Sequence, residues 1–304
     1  MSKKSSKRWI VRVKDLKNPL PINIYAAKSF PILGSKSAAN KAISSNRLLI
    51  NGDPAKITDW ANNGDKIILK GSGVKKIKKI DFHLEIVFED DFIIAINKPG
   101  GIAVNGNRNK TVENALADKN INNKNSDALP HPVACHRIDV PTNGIVLLAK
   151  TKKALVGLNK LFQNNQVKKE YVAVVHGKTA EKGRISLPIQ GKKAITEFET
   201  LHHTASKMFE YLSLVKLVPI TGRTHQLRIH MQQERHLVVG DKMYAGRQKT
   251  ILGKGMMLCA QRISFEHPIS KETIKLQIPY PDKFKRIMDR EKTIFKGQKK
   301  KKRR

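Results

Sequence analysis

Asp139 sits in the run CHRIDVPTNGIVLLAK, residues 135–150, between a His-Arg pair and a Pro-Thr-Asn-Gly turn that opens an apolar strand. A carboxylate there has two readings. Aspartate beside Pro and Asn-Gly is ordinary turn chemistry, its oxygens taking nearby backbone N–H groups. Pro141, Asn143 and Gly144 already furnish the turn, however, and Arg137 lies two positions back, on the same side of an extended segment. A neighbouring guanidinium favours the ionised carboxylate. An ionised carboxylate at a sheet edge is equipped for covalent catalysis.

Two further stretches carry reactive side chains. In PITGRTHQLRIH, residues 219–230, Gly222 supplies a turn and Thr224 is placed to cap a helix bearing His225 and Arg228. Backbone donors and the helix dipole attract anions there, so Arg228 is either a solvated basic group or an arginine held against a phosphate or a catalytic carboxylate. In KKEYVAVVHG, residues 168–177, Tyr171 opens a strand behind two lysines and a glutamate. That edge faces a polar cleft, where a tyrosine ring can stack on a nucleobase.

Other chemistries fit less well. Cys135 and His136 are neighbours that point to opposite faces of a strand, so a thiol hydrolase pair is disfavoured. His225, His230 and His236 are spaced by five and six, which matches neither helical repeat, so no metal site is expected. The glycine pairs at Gly71 and Gly73 and at Gly253 and Gly255 lack the rest of a phosphate loop. No cofactor is expected.

The elements that must position these groups are mostly strands. Residues 84–90, 92–98, 144–150, 171–177 and 211–220 are apolar runs bracketed by turn residues. Residues 151–163 place Leu155, Leu158, Leu161 and Phe162 at helical spacing behind a Thr151 cap, and residues 224–233 form a second helix. The expected body is α+β, with a mixed, largely antiparallel sheet. Ahead of it, residues 35–43 read as a short basic helix capped by Ser35. Residues 47–69 read as strand, Asn-Gly turn, loop, Gly-Asp turn and strand. The boundaries are a basic disordered arm at 1–16, a small domain at 17–70, a Gly-Ser-Lys linker at 71–80, the main body at 81–285 and a basic tail at 286–304.

The chain has 304 residues and a formal charge of +34, from 59 Lys and Arg against 25 Asp and Glu. Such an excess points to a polyanionic partner, because cations that neutralise phosphates release counterions. No apolar run reaches the 18 residues a membrane span needs, and no apolar segment follows the basic start as in a secretory signal. Two isolated cysteines suit a reducing cytoplasm, and nothing requires more than a monomer.

The motifs HRIDVPTNGIVLLAKT, KKEYVAVVHG and TGRTHQLRIHM occur in that order, with EDDFIIAINKPGGIAV (89–104), KKAITEFE (192–199), GDKMYAG (240–246) and FEHP (265–268) around them. This series spans most of residues 85–280 and resembles the RluA family of RNA pseudouridine synthases. The small domain resembles the S-four-like RNA-binding module through Ser35, Ala38, Ala42, Ile43, Leu49, Ile50, Asn51, Gly52, Gly64 and Asp65. The pair is similar to the RluC and RluD branch.

The resemblance implies isomerisation of uridine within RNA, without cofactor, most readily in large-subunit ribosomal RNA. Transfer RNA, or an inactive RNA-binding or ribosome-assembly protein, stands as the alternative. It implies that Asp139 is the catalytic nucleophile, that Tyr171 lies against the uracil and assists proton removal from carbon 5, and that Arg228 pairs with Asp139. Leu258 is expected to line the base pocket. His136, Arg137, Thr142, Gly144, Arg223, His225 and Gln226 are expected around the substrate. Ile138, Asn143 and Cys259 depart from the usual leucine, serine and histidine of the family's motifs, and none of these changes removes a reactive group.

Overall fold

The apolar runs of the sequence become the inner strands of two separate sheets. In this computed structural model the chain divides into two units, residues 1–77 and 78–304. The structure describes residues 8–16, 18–30, 33, 35–70, 80–106, 108–246, 250–251 and 253–301. The first seven residues of the expected arm, nearly all of the expected linker (71–79) and residues 302–304 lie outside them.

In the N-terminal unit, β1 (Arg8–Arg12) pairs with β6 (Lys66–Lys70), which pairs with β3 (Leu48–Ile50) and through it β4 (Asp53–Pro54). These pairings are antiparallel. A short ribbon joins β2 (Leu20–Pro21) to β5 (Trp60–Ala61), beside α1 (Ile22–Ser29) and α2 (Lys36–Ser44). Ser35 caps α2 as expected, its hydroxyl accepting from the Ala38 N–H at 3.1 Å. The Asn-Gly turn has Asn51 and Gly52 at positive φ, and Asp65 steadies it by accepting from the Asn51 amide. Ile22, Ala26, Ala39, Ala42, Leu48, Ile67 and Leu69 form the core. Strand β1 falls inside the segment expected to be a disordered arm. Trp9 and Val11 alternate with exposed Arg8, Ile10 and Arg12 and pack against that core, a period-two pattern masked by the surrounding charge.

The C-terminal unit holds a sheet of ten strands among the described residues. Its elements are β7 (Glu85–Glu89), β8 (Ile93–Lys98), α3 (Val112–Ala115), β9 (Ala128–Ala134), β10 (Asn143–Thr151), α4 (Lys152–Gln163), β11 (Lys168–His176), β12 (Lys182–Ile185), β13 (Thr196–Ser206), β14 (Glu210–Pro219), α5 (Gln226–Gln233), β15 (Leu258–Glu266), β16 (Thr273–Gln277) and α6 (Lys283–Lys301). The order is β12-β13-β14-β11-β15-β10-β8-β7, with β9 on β10 and β16 on β15. β10 and β15 run parallel where Asn143 and Gly144 meet Cys259 and Ala260, and the other described strand pairs are antiparallel. The sheet is thus mixed and mostly antiparallel within an α+β body.

Strand β10 is buried from Gly144 to Thr151, as a continuous apolar run requires. Each of its fully buried aliphatic side chains contributes roughly 1.5–3 kcal/mol. Thr151 caps α4 through the Ala154 N–H, which anchors the helix directly on the end of β10. The expected basic tail is largely helical. Phe284, Ile287, Met288 and Glu291 form a buried stripe at helical spacing, and Glu291 accepts from the Ser206 hydroxyl of β13 at 2.7 Å. No described helix is long and apolar enough to cross a membrane.

Candidate active site

The chain leaves β9, bends at Cys135 and His136, and turns through residues 137–142 into β10. Backbone groups hold this turn. Thr142 N–H donates to Asp139 C=O at 3.0 Å, and Gly101 N–H donates to Val140 C=O at 2.7 Å. Beneath it the fully buried Lys98 amine donates to the carbonyls of Pro99, Ile102 and Val140 at 2.9, 2.9 and 3.2 Å. Burial pulls the Lys98 pKa down to about 8, against the opposing pull of the Asp139 charge. Among the described residues no backbone N–H donates to the Asp139 carboxylate, so its side chain is free of turn duty.

That carboxylate instead meets α5. Arg228 Nη1 donates to Asp139 Oδ2 at 2.9 Å, and His225 Nε2 lies 3.6 Å from Oδ1. Arg228 is 4% exposed and also grips Asp241, with Nε on Oδ2 at 2.6 Å and Nη2 on Oδ1 at 2.8 Å. Burial alone lowers the Arg228 pKa, and hydrogen bonds to the two carboxylates more than reverse it. Tyr244 closes the arrangement. Its hydroxyl is 2.8 Å from His225 Nδ1, and its ring lies 4.9 Å from the guanidinium.

Asp139 opens into a cavity of about 480 Å³. Tyr171 of β11 and Leu258 of β15 line it, two residues apart in register on adjacent strands. Burial, reinforced by the Asp139 charge, pushes the Tyr171 phenol above its ordinary range. It is therefore a neutral ring with a hydroxyl at neutral pH. Leu258 is 3% exposed.

The remaining expected residues divide. His136 lines the cavity, but its Nε2 accepts from Leu147 N–H at 2.9 Å and its ring stacks on Phe162 at 4.5 Å. Burial, aided by Lys169, drives its pKa to about 3, so it is an uncharged wall. Gln226 also lines the cavity with its amide committed internally. Its oxygen accepts from the Thr221 hydroxyl and Arg223 N–H, and its nitrogen donates to Ile195 C=O and Thr196. Arg223 donates to Lys193 C=O, and Arg137 is exposed; both lie at the cavity lining. Thr142 lines it with a buried hydroxyl that has no partner.

Three expectations change. Arg137 makes no ion pair with Asp139, because residues 137–139 are not in a strand and the period-two alternation does not apply to them; Arg228 supplies the guanidinium. Thr224 does not cap α5: the helix starts after His225, which takes the left-handed conformation at φ 56° without a side-chain cap. Gly144 lies outside the cavity lining. At φ +124° it allows the backbones of β10 and β15 to touch, since a Cβ there would run into Ala260.

Asp241, Tyr244, Lys98 and Lys169 were not singled out by sequence reasoning. Asp241 and Tyr244 sit in GDKMYAG, whose place in the motif series is the signal that bears on them. The three histidines considered as ligands have separate partners. His225 contacts Tyr244, His230 lies against Thr196 and Leu187 C=O, and His236 contacts His176 C=O.

A carboxylate held by a buried arginine, with an aromatic ring and a leucine lining the same open cavity in a strongly basic chain, is an arrangement that suits an enzyme acting on a nucleic-acid base. Residues 92–233 match the family described as RNA pseudouridylate synthase. The chain is 35% identical over 209 residues to the dual-specificity RNA pseudouridine synthase RluA of Haemophilus ducreyi, covering 62% of this chain and 90% of that protein. It is 30% identical over 292 residues to ribosomal large subunit pseudouridine synthase D of Buchnera aphidicola, covering 84% and 89%. Human RNA pseudouridylate synthase domain containing 1 superposes with a TM-score of 0.53 at 26% identity, over 65% of this chain and 83% of that one. The chain belongs to the RluA family and is an RNA pseudouridine synthase.

Proposed function

We propose that this pseudouridine synthase acts on uridines of large-subunit ribosomal RNA, with Asp139 as its nucleophile. The observation that carries the reading is the pairing of Asp139 with Arg228 at the wall of a cavity that also presents Tyr171 and Leu258. Arg228, itself fixed by Asp241, holds one carboxylate oxygen and leaves the other toward His225 and the cavity. An extruded uridine enters with its uracil between Tyr171 and Leu258. The Asp139 carboxylate attacks C1′ as the N1–C1′ bond breaks, the uracil anion turns, and carbon 5 attacks C1′ as the Asp139–C1′ bond breaks. Carbon 5 then loses its proton and N1 takes one up, which leaves Asp139 as the free carboxylate. The raised pKa of Tyr171 suits it to support the ring and donate a hydrogen bond more than to accept that proton unaided.

The N-terminal unit is proposed to be an S-four-like RNA-docking module, with exposed Lys36 and Lys41 on α2 meeting phosphates. It favours the ribosomal substrate over transfer RNA. The relatives named for the ribosomal large subunit align over 84–86% of this chain, whereas those named dual-specificity align over 62–67%. An inactive binding protein has no use for a buried arginine clamped to an exposed-side carboxylate. The test is to incubate the protein with unmodified large-subunit ribosomal RNA and map carbodiimide-resistant adducts. Asp139→Asn is expected to abolish new adducts while RNA binding persists. Equal adducts from both proteins refute the assignment.

A further inference from the structure

A second cavity, of about 570 Å³, lies behind the turn that carries Asp139. Residues of that turn divide between the two spaces. Ile138, Asp139 and Thr142 line the first, and Val140, Pro141 and Asn143 line the second. Both volumes fall in the range of small-ligand sites, and the one turn walls both.

The chemistry of its wall is specific. Pro141 and Pro281 supply apolar surface, and Gly100 and Gly101 leave their part of the wall without side chains. The Asn143 amide oxygen is buried without a hydrogen-bond partner, so the wall holds an unmet polar group. Lys283 and Arg286 come from the start of α6. The Lys283 amine donates to Met256 C=O at 3.0 Å, and burial lowers its pKa. Neither cation has an ion pair among the described residues, although Asp282 shares the wall. Unpaired cations, an orphaned amide and apolar plates together call for a ligand with an anionic group, a hydrogen-bonding edge and a flat ring.

We propose that this second cavity binds a nucleotide adjacent to the target uridine in the same RNA strand. Its base lies against Pro141 and Pro281 with one edge on the Asn143 amide, and its phosphate meets Lys283 and Arg286. The turn bearing Asp139 then separates two neighbouring nucleotides, one to be isomerised and one to be read. This assignment rests on the first cavity taking the target uridine.

The test uses the full chain and a short stem-loop carrying a uridine that the wild type converts in large-subunit ribosomal RNA. Single abasic nucleotides are placed on either side of that uridine. Arg286→Ala, at an exposed position that can lose its side chain without unfolding the protein, and Lys283→Gln are compared with wild type. Lys292→Ala, an exposed α6 charge outside the cavity, is the control for bulk electrostatics. The expected result is a KM raised roughly tenfold in Arg286→Ala and Lys283→Gln, with the effect on kcat at saturating RNA small, and little change in Lys292→Ala. One abasic position should weaken wild-type KM by a similar factor and add nothing further in Arg286→Ala, since the lost contacts are shared. A KM within twofold of wild type in both cavity variants overturns the proposal, as does an equal rise in Lys292→Ala or an abasic penalty undiminished in Arg286→Ala. A wild type that forms no pseudouridine in any RNA refutes the substrate reading itself, and this inference with it.

Discussion

Asp241 offers the sharpest test of how the proposed nucleophile is held. Asp241→Asn conserves shape and leaves one oxygen to accept from Met243 and Tyr244 N–H, now at 3.0 and 3.3 Å, so its own turn survives. What changes is the grip on Arg228. The amide oxygen at that position still accepts from Nη2 at 2.8 Å, but the NH2 turns toward Nε and sets donor against donor where the 2.6 Å bond stood. The Asp241 side chain is fully buried and Arg228 nearly so, so water cannot substitute. Losing a charged hydrogen bond costs roughly 1.5–3 kcal/mol, and breaking a buried pair outright costs about 3–5 kcal/mol. Asp241→Asn is therefore expected to lose about 3 kcal/mol in equilibrium urea unfolding. Single-turnover pseudouridine formation should slow by roughly 10–100-fold, by analogy with the loss of carboxylates that orient metal ligands. RNA affinity should stay within about twofold, because a buried group makes no phosphate contact. If the rate holds while stability falls, Asp241 is a structural anchor and Asp139 is oriented without it. If neither moves, the bidentate grip bears no load and the account of the site fails.

Two further outcomes follow from backbone and burial. Gly144→Ala places a methyl group against the Ala260 backbone at φ +124°, so overpacking and backbone strain add to a loss of about 3 kcal/mol or more, read by urea midpoint and by faster amide exchange at the β10–β15 seam. Lys98 has a folded pKa of about 8, below its unfolded value near 10.5, so between these values the unfolded chain binds more protons and stability rises with pH. The rise is on the order of 3 kcal/mol, complete by about pH 10.5, and it should vanish in Lys98→Met; an unchanged pH dependence in that variant would mean the amine is not buried as charged donor to its three carbonyls.

The elements of both units were readable where one residue type settles its own backbone. Thr151 and Ser35 cap the helices that follow them, and the apolar run from Gly144 fills the buried strand β10. Residues with two duties misled. Asp241 makes an ordinary turn bond to Met243 N–H, and that local explanation conceals its hold on Arg228. Gly144 looks like a turn glycine, yet the space it leaves for Ala260 is what joins two strands. Lys98 ends a strand, where a lysine is expected to reach water, and only the loops folded over it reveal three carbonyls around its amine. The charge of α6 likewise hid Phe284, Ile287 and Met288, whose stripe docks that helix on β13. The partner of Asp139 shows the physical limit. Arg137 is two residues away and Arg228 is 89, and the nearer cation is favoured by any reading confined to an extended segment. Chain connectivity puts a residue near its neighbours at no cost, whereas bringing Arg228 to Asp139 requires β11, β13 and β14 to form and α5 to pack on β13 and β14. The geometry of this site therefore depends on the assembled sheet, and the motif that carries the proposed nucleophile leaves the placement of its counter-charge to the rest of the fold.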